Sequence, residues 1–250
     1  MKPVLIKQPA GLGDILFLFK LASIKQEEGH HIIWPLNTSY FKQGVHQYLR
    51  KFNFVDINSN FSFKDEYQRA PLGKISEFKD CTVITTDAAN QGNGGIMLSK
   101  YNLANIDYKG WQNFVEFERN QIKEDELFYN TLQLKEGESY ALINRYIGTP
   151  PNDVSLIDIQ ADTSIKKVYL DFFKGYCLFD WCKTFENATE LYLEATAQTY
   201  MLEKLKLKAT KLCLYSRDGH AHFPPDMFSV AWKKIMTDIS AKPIPNFHIV

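Results

Sequence analysis

Apolar positions along the chain switch between a two-residue and a helical period. Val4-Leu5-Ile6 is a short apolar run. The breaker cluster Pro9-Ala10-Gly11-Leu12-Gly13 follows it, so the run reads as a buried strand feeding a tight loop. From Asp14 the spacing turns helical: Ile15, Leu18, Phe19 and Ala22 share one face, and Lys25, Gln26, Glu27 and Glu28 make the polar end. Gly29 is the expected stop. His31-Ile32-Ile33-Trp34 is the next strand, closed by Pro35. A strand, glycine loop, helix and strand in succession make a right-handed βαβ unit with a parallel pair.

The same alternation continues. Phe54-Val55-Asp56-Ile57 and Thr82-Val83-Ile84-Thr85-Thr86 read as further strands of this lobe, with an irregular excursion over residues 58–80 and a flexible loop over residues 90–95. Residues 111–134 look helical and carry a dense run of charge. A second series opens after Gly137, with strands at residues 140–144, 167–170, 191–193 and 211–215. Helices are expected at residues 178–185 and 197–205, and a closing helix at 226–239. The prediction is an α/β protein of two Rossmann-like lobes facing a cleft, divided into residues 1–120 and 121–250.

Composition narrows the class. With 18 Phe and 13 Tyr in 250 residues, the chain has ample apolar surface to bury and is not disordered. Lys plus Arg and Asp plus Glu balance at 29 each, so the overall field points to neither nucleic acid nor a membrane surface. Cys81, Cys177, Cys182 and Cys213 form no CxxC pair and read as free thiols of a reducing compartment. The N-terminal apolar run is cut by Lys7 after three residues, and no stretch approaches the length of a bilayer span. These features predict a soluble, cytoplasmic protein with no membrane span.

Chemistry concentrates at Gly11-Leu12-Gly13-Asp14. Two glycines allow a tight turn and close approach by a ligand, and a helix N-terminus adds free N–H groups. The dinucleotide fingerprint would need a third glycine where Leu16 stands, and no Gly-Lys-Ser/Thr follows, so neither that motif nor a P-loop is present. Asp14 has two readings. It can stabilise the helix start by about 1 kcal/mol as a cap, or act as a base at the end of the strand. Arg145, just after the first strand of the second half, is placed to pair bidentately with a diphosphate or to sit on the surface. Thr196, Gln198 and Thr199 begin a helix after a late strand, as phosphate-holding groups or as a plain capped start. His220 and His222 have no third partner at metal-ligand spacing, so no metal site is expected.

Lys-Gln-Pro-Ala-Gly-Leu-Gly-Asp-Ile-Leu-Phe at residues 7–17, followed by Gly-His-His-Ile-Ile-Trp-Pro at 29–35, resembles the start of heptosyltransferase-like GT-B glycosyltransferases. It also resembles small viral and phage glycosyltransferase-like proteins that share the Gly-Leu-Gly-Asp opening. The resemblance implies that Gly11, Leu12 and Gly13 lie beside the acceptor and the donor sugar, and that Asp14 is the catalytic base. Residues 185–199 resemble the late strand and helix start of the donor lobe. There Thr196, Gln198 and Thr199 would hold the nucleotide diphosphate, with Arg145 beside it.

The expected function is therefore metal-independent, inverting transfer of a sugar from a nucleotide-sugar donor to a hydroxyl acceptor such as a glycan. The nucleotide-sugar is a co-substrate, and no separate cofactor is expected. A DNA-modifying transferase acting on a hydroxymethylated base would need a basic groove, against which the balanced charge counts. A non-catalytic nucleotide-binding scaffold would keep the fold with Asp14 acting only as a cap. A dinucleotide oxidoreductase lacks both its third glycine and an acidic residue at Trp34-Pro35, the end of the second strand.

Overall fold

The structure, a computed structural model, describes residues 3–7, 11–57, 82–85, 95–147, 155–215, 227–235 and 241–243. The expected excursion at 58–80, most of the loop at 90–95, and His220 and His222 lie outside the described residues. The chain divides into two compact units, Met1–Phe117 with His222–Met227, and Glu118–Ala221 with Phe228–Val250.

The first unit is built on β1 (Val4–Lys7), which enters α1 (Leu12–Phe17) and α2 (Phe19–Glu27) before β2 (Ile32–Asn37). After α3 (Thr38–Lys42) come β3 (Asn53–Ile57), β4 (Thr82–Thr85) and α4 (Gly95–Leu103). The four strands form one parallel sheet in the order β3-β2-β1-β4. Chain order therefore reverses between β1 and β4, which is where open α/β sheets form a crevice.

Helix α1 begins at Leu12, earlier than the spacing from Asp14 suggests, because Ile15 N–H already donates to Gly11 O at 3.2 Å. Gly11 is extended, at φ −68° and ψ 134°, so the turn makes no left-handed demand on it. Gly29 does sit at φ 88°, and α2 ends in a Schellman pattern: Gly29 N–H donates to Gln26 O, and His30 N–H to Lys25 O. Strand β2 runs through Pro35 to Asn37 instead of stopping at the proline. Its pairing with β1 covers only Ile32 and Ile33, so the missing N–H falls where no β1 neighbour requires it.

The core of this unit is aromatic. Phe17 packs edge-on against Tyr101 and Trp111, with ring centroids 4.9 and 5.2 Å away, and Phe19 does the same against Phe52 at 5.0 Å. Edge-to-face contacts of this kind add about 1 kcal/mol each beyond the area they bury. Two of its polar edges find backbone acceptors: Tyr101 Oη donates to Phe17 O at 2.5 Å and Trp111 Nε1 to Met227 O at 2.8 Å.

Where the sequence pattern suggests one helix over residues 111–134, the chain forms a broken helical stretch that begins in the first unit and continues into the second. The residues Trp111–Phe114 form a single 3₁₀ turn, the chain then extends, and α5 (Gln121–Asp125) leads into a π-helical turn at Glu126–Thr131. Glu124 explains part of the interruption. It is fully buried, accepts from Arg119 Nε at 2.8 Å and from Lys183 N–H at 3.0 Å, and so pins α5 to the next layer. The strands that follow are β5 (Tyr140–Asn144), β6 (Tyr146–Ile147), β7 (Ser155–Ile157) and β8 (Lys166–Leu170). Helix α6 (Cys182–Asn187), β9 (Glu190–Glu194), α7 (Ala197–Leu202), β10 (Lys211–Tyr215), β11 (Lys233–Ile235) and β12 (Ala241–Pro243) complete the described elements.

Five of these strands form a parallel sheet in the order β11-β10-β9-β5-β8, and its order reverses between β5 and β9. Strand β5 is buried at every residue, as expected of a central parallel strand covered on both faces. On one face Ala141, Ile143, Tyr192, Cys213 and Tyr215 pack against Ile157, Ile159 and Ala161. A small antiparallel sheet, β12-β7-β6, supplies that layer, and its short strands were not evident in the sequence.

The closing helix expected at 226–239 is not formed over its described part. Instead, Glu203 takes hydrogen bonds from the backbone N–H groups of Ser229 and Val230, and residues 233–235 pair with β10 as an edge strand. Tertiary pairing overrides a helix-compatible pattern there. Helix α7 likewise ends at Leu202, three residues before the expected end.

Candidate functional sites

Each unit carries one constellation, at the C-terminal ends of its parallel strands. In the first, α1 follows β1 and α4 follows β4, the two strands that flank the reversal of strand order. Asp14 and Phe17 lie three apart on α1 and share a face. Lys100 and Tyr101 are adjacent on α4. The Phe17–Tyr101 contact docks the helices and brings Lys100 Nζ against Asp14 Oδ1.

Asp14 is the third residue of α1, and the N-cap position belongs to Gly11, which makes no side-chain cap. The carboxylate favours the helix start through its charge, but it does not cap. It is directed at Lys100 and remains 18% exposed, whereas Lys100 is wholly buried. Among the described residues Lys100 Nζ has no other polar partner. Burial lowers its pKa from the usual 10.5 to about 7, because the ammonium is removed from water. The carboxylate at contact pulls the other way, and burial is the larger effect.

Lys100 escaped the sequence reading. Met97, Leu98 and Tyr101 do show helical spacing, but the preceding Asn-Gln-Gly-Asn-Gly-Gly reads as loop, and an isolated lysine reads as solvated.

In the second unit β5 ends at Asn144, whose Nδ2 donates to Tyr146 O at 2.6 Å. Its Oδ1 accepts from Gln198 Nε2, which also donates to Glu194 O at 3.0 Å. The start of α7 is thereby tied to the end of β5 across the point where strand order reverses. Thr196 occupies the N-cap position without capping: its hydroxyl turns to Gln198 Oε1. Thr199 is buried, and its hydroxyl donates to Thr196 O at 2.7 Å, so that group closes the turn.

Arg145 is nearly half exposed. Its guanidinium lies 5.6 Å from the ring centre of Tyr146 and 5.7 Å from that of Tyr169, with Nη1 3.4 Å from Asp171 Oδ2. Beside it is a hollow of about 390 Å³, lined by Ile143, Asn144, Arg145, Leu156, Ile157, Asp158, Ile159 and Tyr169. Of the residues singled out in the sequence, Gly11, Leu12, Gly13 and Asp14 thus belong to the first constellation. Arg145, Thr196, Gln198 and Thr199 gather in the second, with Asn144, Tyr169 and Asp171 as members that the sequence did not mark.

The two α/β units with parallel sheets form a two-lobed fold of the GT-B type. Over 94% of its length the chain superposes on the iron-containing dodecameric glycosyltransferase TibC from enterotoxigenic E. coli H10407. The TM-score is 0.50 at 9% identity, and 62% of TibC is covered. A glycosyl transferase family 9 structure from Veillonella parvula DSM 2008 aligns over 94% of this chain and 86% of its own, at TM-score 0.47 and 10% identity. At 9% identity, what the likeness to TibC shows is the fold alone. No protein-family model matches the sequence, and no curated protein matches it either. Among the described residues, no helix is long and apolar enough to cross a membrane, and no three His, Cys, Asp or Glu side chains converge as a metal-ion site.

Proposed function

We propose that the protein is a glycosyltransferase that moves a sugar from a nucleotide-sugar donor to a hydroxyl acceptor, with Asp14 as the general base. The observation that carries this reading is the Asp14 carboxylate. It stands beyond the C-terminal end of β1 at the reversal of strand order, unspent on capping and still open to solvent. The GT-B type fold supports the same assignment by analogy.

In the proposed reaction the acceptor hydroxyl loses its proton to Asp14 as its oxygen bonds to the anomeric carbon. The bond from that carbon to the diphosphate oxygen breaks, and its electron pair leaves with the diphosphate. Attack from the face opposite the leaving group inverts the anomeric centre. Gly11, Leu12 and Gly13 border the acceptor in this reading, and the two glycines, lacking Cβ atoms, allow close approach.

The second unit holds the donor. Arg145 balances charge on the diphosphate, and the Thr196–Gln198 turn, braced by Asn144, lies beside it. Thr199 contributes by closing that turn. In this reading the transfer needs no divalent cation, since the Arg145 guanidinium and backbone donors carry the developing charge.

A thermal-shift series with UDP-, GDP-, ADP-, CMP- and dTDP-sugars, with and without EDTA, tests the donor assignment. At 100 times its dissociation constant a ligand stabilises the fold by about 2.7 kcal/mol, which is several degrees. Asp14→Asn should retain that shift while transfer falls by roughly 10²–10⁴. Full activity in Asp14→Asn, or no shift with any nucleotide-sugar, overturns the reading.

A further inference from the structure

Lys100 is an improbable core residue by composition alone. It sits on α4 next to Leu98 and Tyr101, fully buried, where methionine or leucine would pack without losing hydration. Its ammonium meets one oxygen among the described residues, Asp14 Oδ1. The hydroxyl of Tyr101, the next residue on α4, is otherwise engaged, since Tyr101 Oη donates to Phe17 O. Lys100 therefore has one electrostatic task, directed at the single carboxylate that the proposed reaction uses.

We infer that Lys100 is a positioning residue for Asp14: it anchors Oδ1, fixes the carboxylate rotamer, and leaves Oδ2 as the oxygen that receives the acceptor's proton. This rests on the reading of Asp14 as the base. A carboxylate held by one oxygen loses the freedom to rotate away from the hydroxyl, and an adjacent positive charge keeps it ionised. The arrangement also explains the otherwise costly burial of the lysine, because an ammonium so placed acts in a low dielectric, where its field on Asp14 is strong. The docking is built from apolar parts: the Phe17–Tyr101 contact lies one position from Lys100 and three from Asp14, so the pair's geometry is inherited from the packing of α1 on α4.

The test separates positioning from catalysis by reading the pair directly. In protein labelled with ¹³C at aspartate carboxyls, the Asp14 resonance is assigned by its loss in Asp14→Asn and titrated in wild type and Lys100→Met. Lys100→Met should raise the Asp14 midpoint by at least one pH unit, with Lys100→Arg in between. Should Lys100→Met not fold, as judged by its melting curve, the reciprocal measurement serves. In ¹³C-lysine-labelled protein, Asp14→Asn should lower the Lys100 midpoint by at least one unit. An unchanged midpoint in the folded variant, or in the reciprocal pair, overturns the inference.

Once a donor and acceptor are in hand, Lys100→Met should reduce kcat by 10-fold or more with the acceptor KM within about threefold. Equal kcat in wild type and Lys100→Met would refute positioning and leave the transferase reading standing. A coupled pair in a protein that transfers no sugar would refute the transferase reading and, with it, the role given to the pair.

Discussion

A buried lysine leaves a thermodynamic mark whatever reaction the protein performs. Lys100 titrates near 7 in the folded chain and near 10.5 when unfolded, because burial disfavours its charged form. Between those values the unfolded state binds more protons than the folded one, so this group makes stability rise with pH across that window. Below about pH 7 both states are protonated and the full cost of burying the charge is felt. Replacing Lys100 by methionine removes that cost. The melting temperature of Lys100→Met relative to wild type should therefore be highest at or below pH 7, and the advantage should shrink as pH approaches 10. The slope of the difference across this window is the signature of Lys100. Paired thermal melts at pH 6, 7, 8, 9 and 10 check this. A flat difference would mean that the folded lysine titrates at its ordinary value.

Elements differ in how much of their structure a single sequence discloses. Gly29 was legible as a stop because a left-handed residue ending a helix is almost always glycine, and the chain does place it at φ 88°. Gly29→Ala puts a Cβ into that conformation and should cost about 1 kcal/mol, measured as a lower midpoint in urea unfolding of the intact protein. No loss would mean that the Schellman turn is replaced by another ending. The strands β1, β5, β9 and β10 were legible for a related reason: both faces are covered, so each reads as an uninterrupted apolar run between breakers. The elements that were misread draw their structure from distant partners. Residues 233–235 have no pattern of their own that distinguishes a strand, and β10 supplies it. The π-helical turn at Glu126–Thr131 adjoins α5, which Arg119 and Lys183 hold through Glu124, a set of contacts invisible along the chain. The site divides in the same way. Asp14 and Arg145 stand in recognisable local frames, whereas Lys100, Asn144 and Tyr169 acquire their places only when separate strands and helices come together.

At the scale of the whole molecule, the proposal assigns donor and acceptor chemistry to different units, and that division can be observed without any turnover. The second unit offers that proposal a hollow of about 390 Å³ at the ends of β5 and β8, a guanidinium flanked by two tyrosine rings, and a half-exposed Tyr169 on which a planar ring can stack. The same guanidinium lies 3.4 Å from Asp171, a weak tether that a diphosphate can displace. Hydrogen exchange of the full chain should therefore slow on addition of the nucleoside diphosphate that gives the largest thermal shift. The slowing should concentrate in peptides covering residues 143–147, 155–159 and 169–171. Arg145→Met should weaken binding by roughly 10-fold, the loss of about 1.4 kcal/mol expected when a charge-assisted contact is removed. Peptides covering α1 and α4 of the first unit should exchange as before, since the nucleotide alone leaves Asp14 without an acceptor to deprotonate. Protection confined to residues 11–17 and 95–103 would reverse the assignment of the two units. It would make the Asp14–Lys100 pair a nucleotide contact in place of a base and its support.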